Sequence, residues 1–400
     1  MTRKLLPILM MMVVLSPLAI DIYLPSMPEM ALEFSVSDTQ VQSTLVLFMF
    51  AMGIGQILIG PLADRFGRRP IALFGVCLYI ASSLLAALVV DFQYLQFARV
   101  LQGIAACATS IVVFSAVRDS FNSQQSAHYY SYLNGVICVI PALAPTLGGL
   151  LALQFGWRST FIFMMLFAVL VLFVVAFKLP ETRPKATQAS GRLYNWKRYQ
   201  PILNNSHFVF YALTCMLGMA SILTYVSYSP SWIIKHLGLT ELTFSYLFGF
   251  NAVINIIACF VAPKVIKKLG NHKTVNSALY LMLLSAFVQL IMQQIPANTP
   301  LIGGFFFMLP MLLLCIGFAL LLGPATSMAL SAFGERAGTA SAILGCIQMS
   351  GAALLTGLIQ QTPLTAPYAS AIMIGGSAVL LLIIMCLPQY QHWHQEHNES

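Results

Sequence analysis

Apolar stretches of about twenty residues, separated by short turns rich in Gly, Pro and charged residues, recur along the whole chain. At 1.5 Å of rise per residue, each is long enough to cross a hydrocarbon core of about 30 Å as a helix. The pattern predicts spans over residues 5–25, 41–62, 71–90, 95–117, 129–153, 159–178, 207–230, 243–263, 274–293, 301–323, 337–360 and 367–387. One connection breaks the rhythm: Pro180 to Ser206 carries Pro, Ser, Thr, Asn and basic residues with no hydrophobic period. The expected fold is an all-α integral membrane protein of twelve transmembrane helices in two six-helix bundles, 1–179 and 207–387. A cytoplasmic linker at 180–206 joins them, and a cytoplasmic tail at 388–400 follows. No small-residue cleavage site follows the first run, and its acid and paired prolines do not suit a cleaved leader, so it is read as a retained span.

Composition supports this picture, since 59% hydrophobic and 8% charged residues exclude an ordinary soluble protein. The net charge of +8 is not gathered into a nucleic-acid-binding patch. Seventeen of the 20 Lys and Arg fall in the N-terminal tail, the linker and the other even-numbered turns, which the positive-inside rule places in the cytoplasm together with both termini. Arg158 and Lys235 are left in outer turns, and the first outer loop, with Glu29, Glu33 and Asp38, is read as a solvated connector. The eight cysteines, from Cys77 to Cys386, lie in apolar runs without CxxC or zinc-ligand spacing and are read as small core residues. His392, His394 and His397 in the tail lack a fourth ligand, so no metal and no other cofactor is expected.

Two ionisable side chains lie inside predicted spans, Asp21 in the first and Arg99 in the fourth. A charge at the bilayer centre costs at least about 2.5 to 3.5 kcal/mol, so each asks for a functional explanation. Both stand about five residues from the outer ends of their spans, so their depths match and a meeting between them is geometrically allowed. Arg99 is also close enough to the surface to snorkel. Burial opposes ionisation of a carboxyl group and a neighbouring guanidinium favours it, so a changing balance between the two suits proton coupling. Gln102 and Gly103 share a helix face with Arg99. Tyr23, Phe114, Tyr225, Tyr228, Phe305 and Phe307 are candidates for an aromatic substrate surface, or for packing. Asn251 and Asn255 share a face of the eighth span, for interhelical hydrogen bonding or substrate contact.

Three motifs stand out, the first of them present in two copies. Gly60-Pro-Leu-Ala-Asp64-Arg65-Phe-Gly67-Arg68-Arg69 follows the second span, and Pro263-Lys-Val-Ile-Lys-Lys-Leu-Gly270-Asn-His-Lys273 follows the eighth, an offset near 203 residues that suggests parallel repeats. Arg99-Val-Leu-Gln102-Gly103 opens the fourth span, and Pro141-Ala-Leu-Ala-Pro145-Thr-Leu-Gly148-Gly149 ends the fifth. These resemble, in turn, the GxLaDrxGrr turn, the RxxQG motif and the Pro/Gly exporter motif of the major facilitator superfamily; Ala144 replaces the glycine usual before the second proline. With Asp21-Ile-Tyr23-Leu-Pro25, Gly156-Trp157-Arg158 and Leu179-Pro-Glu-Thr-Arg183, the chain looks like the Bcr/CflA-type drug:proton antiporters of that superfamily.

The resemblance implies a proton-driven exporter of lipophilic compounds in a bacterial inner membrane, working by alternating access. It is expected to act as a monomer on small drug-like molecules and protons, with no nucleic acid partner. It also implies proton coupling at Asp21 and Arg99, and substrate contact at Asp21, Tyr23, Arg99, Gln102, Phe114, Tyr225 and Tyr228. Conformational gating falls to Gly60, Asp64, Arg65, Gly67, Arg68, Arg69, Arg118, Pro141, Pro145, Gly148 and Gly149, with Asp64 reaching Arg118 and the start of the eleventh span at Gly338. A substrate-specific exporter and a proton-coupled nutrient symporter remain as alternatives. No paired carboxylates, nucleophile triad, phosphate loop or HExxH motif supports an enzyme.

Overall fold

The computed structural model of the chain describes residues 5–184, 196–333, 336–388 and 390; Arg3, Lys4, Lys185, Arg192 and the tail histidines lie outside them. Every regular element among the described residues is helical. α1 (Leu5–Asp21) stops four residues before Pro25, which lacks the N–H that the Asp21 carbonyl would need to continue the helix. A single 3-10 turn (Leu24–Ser26) leads into a short α2 (Met27–Glu33), so the first apolar segment continues helically past residue 25 with an interruption after Asp21. α3 (Asp38–Phe66), α4 (Arg68–Leu88), α5 (Phe92–Ser120), α6 (Ser123–Phe155) and α7 (Arg158–Lys178) follow. The start of α3 is fixed by Ser37, whose hydroxyl accepts from the Gln40 amide while the Gln40 side chain returns the bond.

Inside the expected linker lies a helix that its polar composition hides, α8 (Trp196–Leu203), anchored by the buried Ile202. α9 (Ser206–Pro230) runs into a wider turn over Ser231–His236, then come α10 (Glu241–Met292) and α11 (Pro300–Leu330). α12 (Ala337–Cys346), a π turn (Ile347–Gly351) and α13 (Ala352–Gln360) together make one span, and α14 (Ala366–Met385) closes the described chain. Eleven described helices are long and apolar enough to cross a membrane. One of them, α10, is two spans: Gly270 at φ 79° and ψ 166° breaks its 52 residues, which restores the predicted twelve.

Two compact units result. One holds residues up to 195 with 233–253; the other holds Trp196–Trp232 and everything from Ile254 on. In the first unit, small residues let helices touch through their backbones. A Cβ at Gly103 would collide with the Phe48 carbonyl of α3, one at Gly148 with the Ile22 carbonyl, and one at Gly75 would lie 2.9 Å from Ala108. Gly60 does not follow this rule: a Cβ there meets nothing within 4 Å, so it mediates no close helix approach. In the second unit Tyr390, buried, bonds its hydroxyl to that of Tyr211 at 3.0 Å and packs on Phe210, tying the end of the described chain to the start of α9. Three cysteines are buried, but Cys77 and Cys386 are exposed on their helices and so are not core residues.

The two repeated turns share one backbone shape. Gly67 adopts φ 106° and ψ 163°, close to Gly270, in a region that residues with a Cβ rarely enter. At Gly67 a Cβ would also press on the Glu181 carboxylate. Gly67→Ala is therefore expected to destabilise the protein by more than about 1 kcal/mol, whereas Gly60→Ala, in a helix and facing open space, is expected to be neutral or stabilising. Thermal unfolding of the two purified variants checks the contrast.

Candidate functional site

Asp21 closes α1 and is 4% exposed; among the described residues, no hydrogen bond or ion pair reaches its carboxylate. Arg99, fully buried on α5, does not meet it. Its Nη2 donates to the Ala19 carbonyl at 2.9 Å and its Nη1 to Gln102 Oε1. The guanidinium carbon sits 4.5 Å from the centre of the Tyr23 ring and 4.6 Å from that of Phe48. Desolvated contacts of this kind contribute about 2 kcal/mol or more each, enough to hold a cation inside a helical bundle without a carboxylate. The snorkelling alternative is excluded by this burial. The ion pair allowed by matching depth is not formed: the guanidinium instead meets α1 at the Ala19 carbonyl and the Tyr23 ring, two residues to either side of Asp21.

The rest of the cluster holds this arrangement in place. Gln102 Nε2 donates to Ser83 Oγ at 2.9 Å, and Tyr23 Oη and Thr44 Oγ1 share a hydrogen bond of 3.1 Å. Tyr79 donates to the Leu15 carbonyl at 2.8 Å, one turn below Ala19. Tyr23 and Gln102 are thus both fully buried and engaged by protein groups. Phe114 is half-buried, with Tyr130 Oη donating to its carbonyl. In the second unit Tyr225 and Tyr228 are buried, bonding Met308 Sδ at 3.4 Å and the Ile359 carbonyl at 3.3 Å. Phe307 is buried beside Tyr225, whereas Phe305 is 51% exposed on α11.

Three positions in the Pro/Gly stretch of α6 touch neighbouring segments. Pro145 and Gly148 are buried, Gly148 against the end of α1, and Ser245 Oγ lies 3.0 Å from the Pro145 carbonyl and 3.1 Å from where a Gly149 Cβ would stand. Pro141 is only partly buried. The acidic loop that precedes α3 stays partly exposed and also carries ion pairs. Arg158 and the Trp157 indole both bond Glu33 at 2.5 Å, and Lys235 pairs with Asp38 at 2.9 Å, so the two cations left in outer turns have their acids there.

The turn between α3 and α4 differs most from its expected wiring. Arg68, expected at the membrane surface, is 2% exposed and bridges Asp64 at 2.7 Å and Asp119 at 2.9 Å. Arg118 lies 3.6 Å from Asp119 and, among the described residues, forms no ion pair with Asp64. Arg69 donates to the Ala176 carbonyl, and Arg65 is exposed beside Phe66. Glu181 accepts from the amides of Arg68, Arg69 and Arg183 at 2.8 to 3.1 Å. Burial would raise the Glu181 carboxyl, but these amides hold it below the usual carboxylate range. Its contribution is therefore complete above the unfolded value of about 4.5 and is lost as pH falls through the lower folded value. Asp119 and Glu181 are the residues that the sequence reading passed over. Their signal was an unclaimed acid beside Arg118 and the Leu179-Pro-Glu-Thr-Arg183 run after α7.

A family model described as "Major Facilitator Superfamily" matches residues 9–356. The chain is 32% identical over 388 residues to the multidrug resistance protein MdtL of Klebsiella pneumoniae, covering 96% of each, and 29% identical over 381 residues to MdtL of a Shewanella species, covering 94% of each. Among solved structures it is similar to a D-xylose-proton symporter, at a TM-score of 0.73 and 16% identity over 94% of this chain and 96% of that one. The xylose transporter XylE from E. coli in a partially occluded inward open conformation gives a TM-score of 0.74 at 18% identity, covering 96% of both; the two likenesses bear on fold alone. Matching family model, twelve apolar spans and glycine turn lead to one assignment: the chain is a multi-pass membrane protein belonging to the Major Facilitator Superfamily.

Proposed function

We propose that the chain is a proton-driven antiporter that exports lipophilic, drug-like compounds by alternating access, with Asp21 carrying the exchanged proton. The observation that carries this reading is the Asp21 carboxylate itself, buried at the end of an apolar helix and left without a protein partner among the described residues. An acid in that position accepts a proton or faces a substrate cation, and either event neutralises the same charge. Similarity to proteins named for multidrug resistance supports the direction of transport and the substrate class. The same reading places the protein in a bacterial inner membrane as a monomer with both termini cytoplasmic, supported by the bias of basic residues toward even-numbered turns.

The gating role of the α3–α4 turn belongs to this reading as well. Asp64 is the half-exposed member of the Asp64–Arg68–Asp119 cluster, so it is the acid free to exchange partners while Arg68 and Asp119 stay fixed.

Purified protein in liposomes, challenged with ethidium under an imposed proton gradient, tests the proposal. Ethidium movement against its gradient, with proton flux in the opposite direction, is expected. Co-directional flux of the two would instead mark a symporter, and ethidium movement indifferent to the gradient would remove proton coupling.

A further inference from the structure

Resting on the proposed role of Asp21, we infer that Tyr23 is a positioning residue for proton coupling: its ring, with the Ala19 carbonyl, holds Arg99 out of an ion pair with the carboxylate. Arg99 then acts on Asp21 through the backbone that it clamps, not through charge.

The clamp has two jaws on α1. The Ala19 carbonyl accepts from Nη2 at 2.9 Å, and the Tyr23 ring lies under the guanidinium at 4.5 Å, two residues before and two residues after Asp21. Phe48 of α3 closes the other face at 4.6 Å. Among the described residues Arg99 Nε has no hydrogen-bond partner, so the cation is held by ring faces as much as by hydrogen bonds and retains a donor with which to capture a carboxylate. Tyr23 in turn is fixed through its hydroxyl to Thr44, itself bonded to the Val41 carbonyl. Because the α-helical ladder of α1 stops at Asp21, where Pro25 lacks the N–H, and helix resumes only through the 3-10 turn, the clamp braces the interruption.

Among the described residues, the other cations near α1 are distant or already paired, and the acid Glu29 of α2 faces Glu33, Glu241 and Arg158. α5, α6 and α7 pack against α1. On α5, Arg118 and Asp119 lie some nineteen residues beyond Arg99, about 28 Å away along the helix. On α6, His128 and the tyrosines at 129, 130 and 132 stand sixteen or more residues from Gly148, the position that meets Ile22. On α7, Arg158 is held by Glu33, and Lys178 is at the far end. Tyr79 of α4 is committed to the Leu15 carbonyl, and Lys235 of the 233–253 stretch to Asp38.

The test compares Tyr23→Phe, Tyr23→Leu and Phe48→Leu as full-length proteins in liposomes, following ethidium-driven proton release across pH 5 to 9. Tyr23→Phe keeps the ring and is expected to retain the wild-type pH profile. Either leucine variant opens the cage, freeing the guanidinium to pair with Asp21, so the midpoint of proton release is expected to move at least one pH unit lower. Adding Arg99→Gln to Tyr23→Leu should cancel most of that displacement, which a packing defect alone would not do. Unchanged midpoints in both leucine variants, or a displacement that survives Arg99→Gln, would overturn the inference while leaving Asp21 as the proton carrier. Full proton release by Asp21→Asn would instead strike the proposed function on which the inference rests.

Discussion

Asp21→Asn is expected to abolish ethidium-driven proton release, to the level of protein-free liposomes, while expression, membrane insertion and thermal stability stay close to wild type. The amide keeps the shape of the side chain and cannot titrate. In most buried acids such a change also breaks a hydrogen bond or ion pair, and the loss of function is then hard to separate from a loss of structure. Here the carboxylate has no such partner among the described residues, so the substitution removes a proton site and little else. It even relieves the cost of burying a charge, about 2.5 to 3.5 kcal/mol on insertion scales, so a slightly raised unfolding temperature fits the same account. Stopped-flow measurement of proton release, paired with unfolding followed by tryptophan fluorescence, checks both halves. A variant that exchanges protons normally would return the coupling role to a residue nearer the membrane surface.

Arg68→Met is expected to cause the largest stability loss of any single change in the α3–α4 turn, about 3 to 5 kcal/mol, because it strands a buried charge. Asp119 is 7% exposed and depends on Arg68 at 2.9 Å, with Arg118 a more distant second cation. Asp64 is 49% exposed, so Asp64→Asn should cost well under 1 kcal/mol, water taking over part of its solvation. The two variants thus separate structure from gating. Arg68→Met should lower the unfolding temperature and the yield of folded protein; Asp64→Asn should keep both and change turnover by shifting the balance between transport states, about tenfold for each 1.4 kcal/mol. Cysteine accessibility from the two sides of the membrane, in a background without native cysteines, reads the shift. Equal stability loss in both variants would make the turn a structural clasp and nothing more.

Much of the fold was legible because the bilayer simplifies the code. A run of apolar residues either spans or does not, and all twelve predicted spans are matched by a helix or by one arm of a broken helix. Departures arise where local chemistry overrules hydropathy. Pro25 ends α1 although the residues after Asp21 remain apolar, and α8 forms in a polar linker because one buried residue, Ile202, suffices to dock a two-turn helix. The candidate site was legible as a list and not as a geometry. Depth along a helix can be counted from the sequence, and it correctly puts Asp21 and Arg99 at the same level; azimuth depends on which neighbour a helix turns toward, and there Ala19, Tyr23 and Phe48 proved to be the partners. Arg68 was misplaced for a related reason, since a cluster of three arginines at a membrane surface gives no hint of which one folds inward toward Asp119.

The turns at Gly67 and Gly270 show what outlasts chemical change within one chain. Around the first are Asp64, Arg65, Arg68 and Arg69; around the second, 203 positions later, are Lys267, Lys268, Asn271 and His272, with no acid among them. The charge network has been rewritten, and the backbone has not: both glycines keep a positive φ near 80° to 106° with ψ near 165°. The α6–α7 turn takes the same shape at Gly156, φ 75° and ψ 167°, beside a third set of neighbours, so the shape belongs to the reversal between two membrane-length helices and not to the repeat alone. Side chains at such a turn can specialise because the task of turning the chain falls on one glycine.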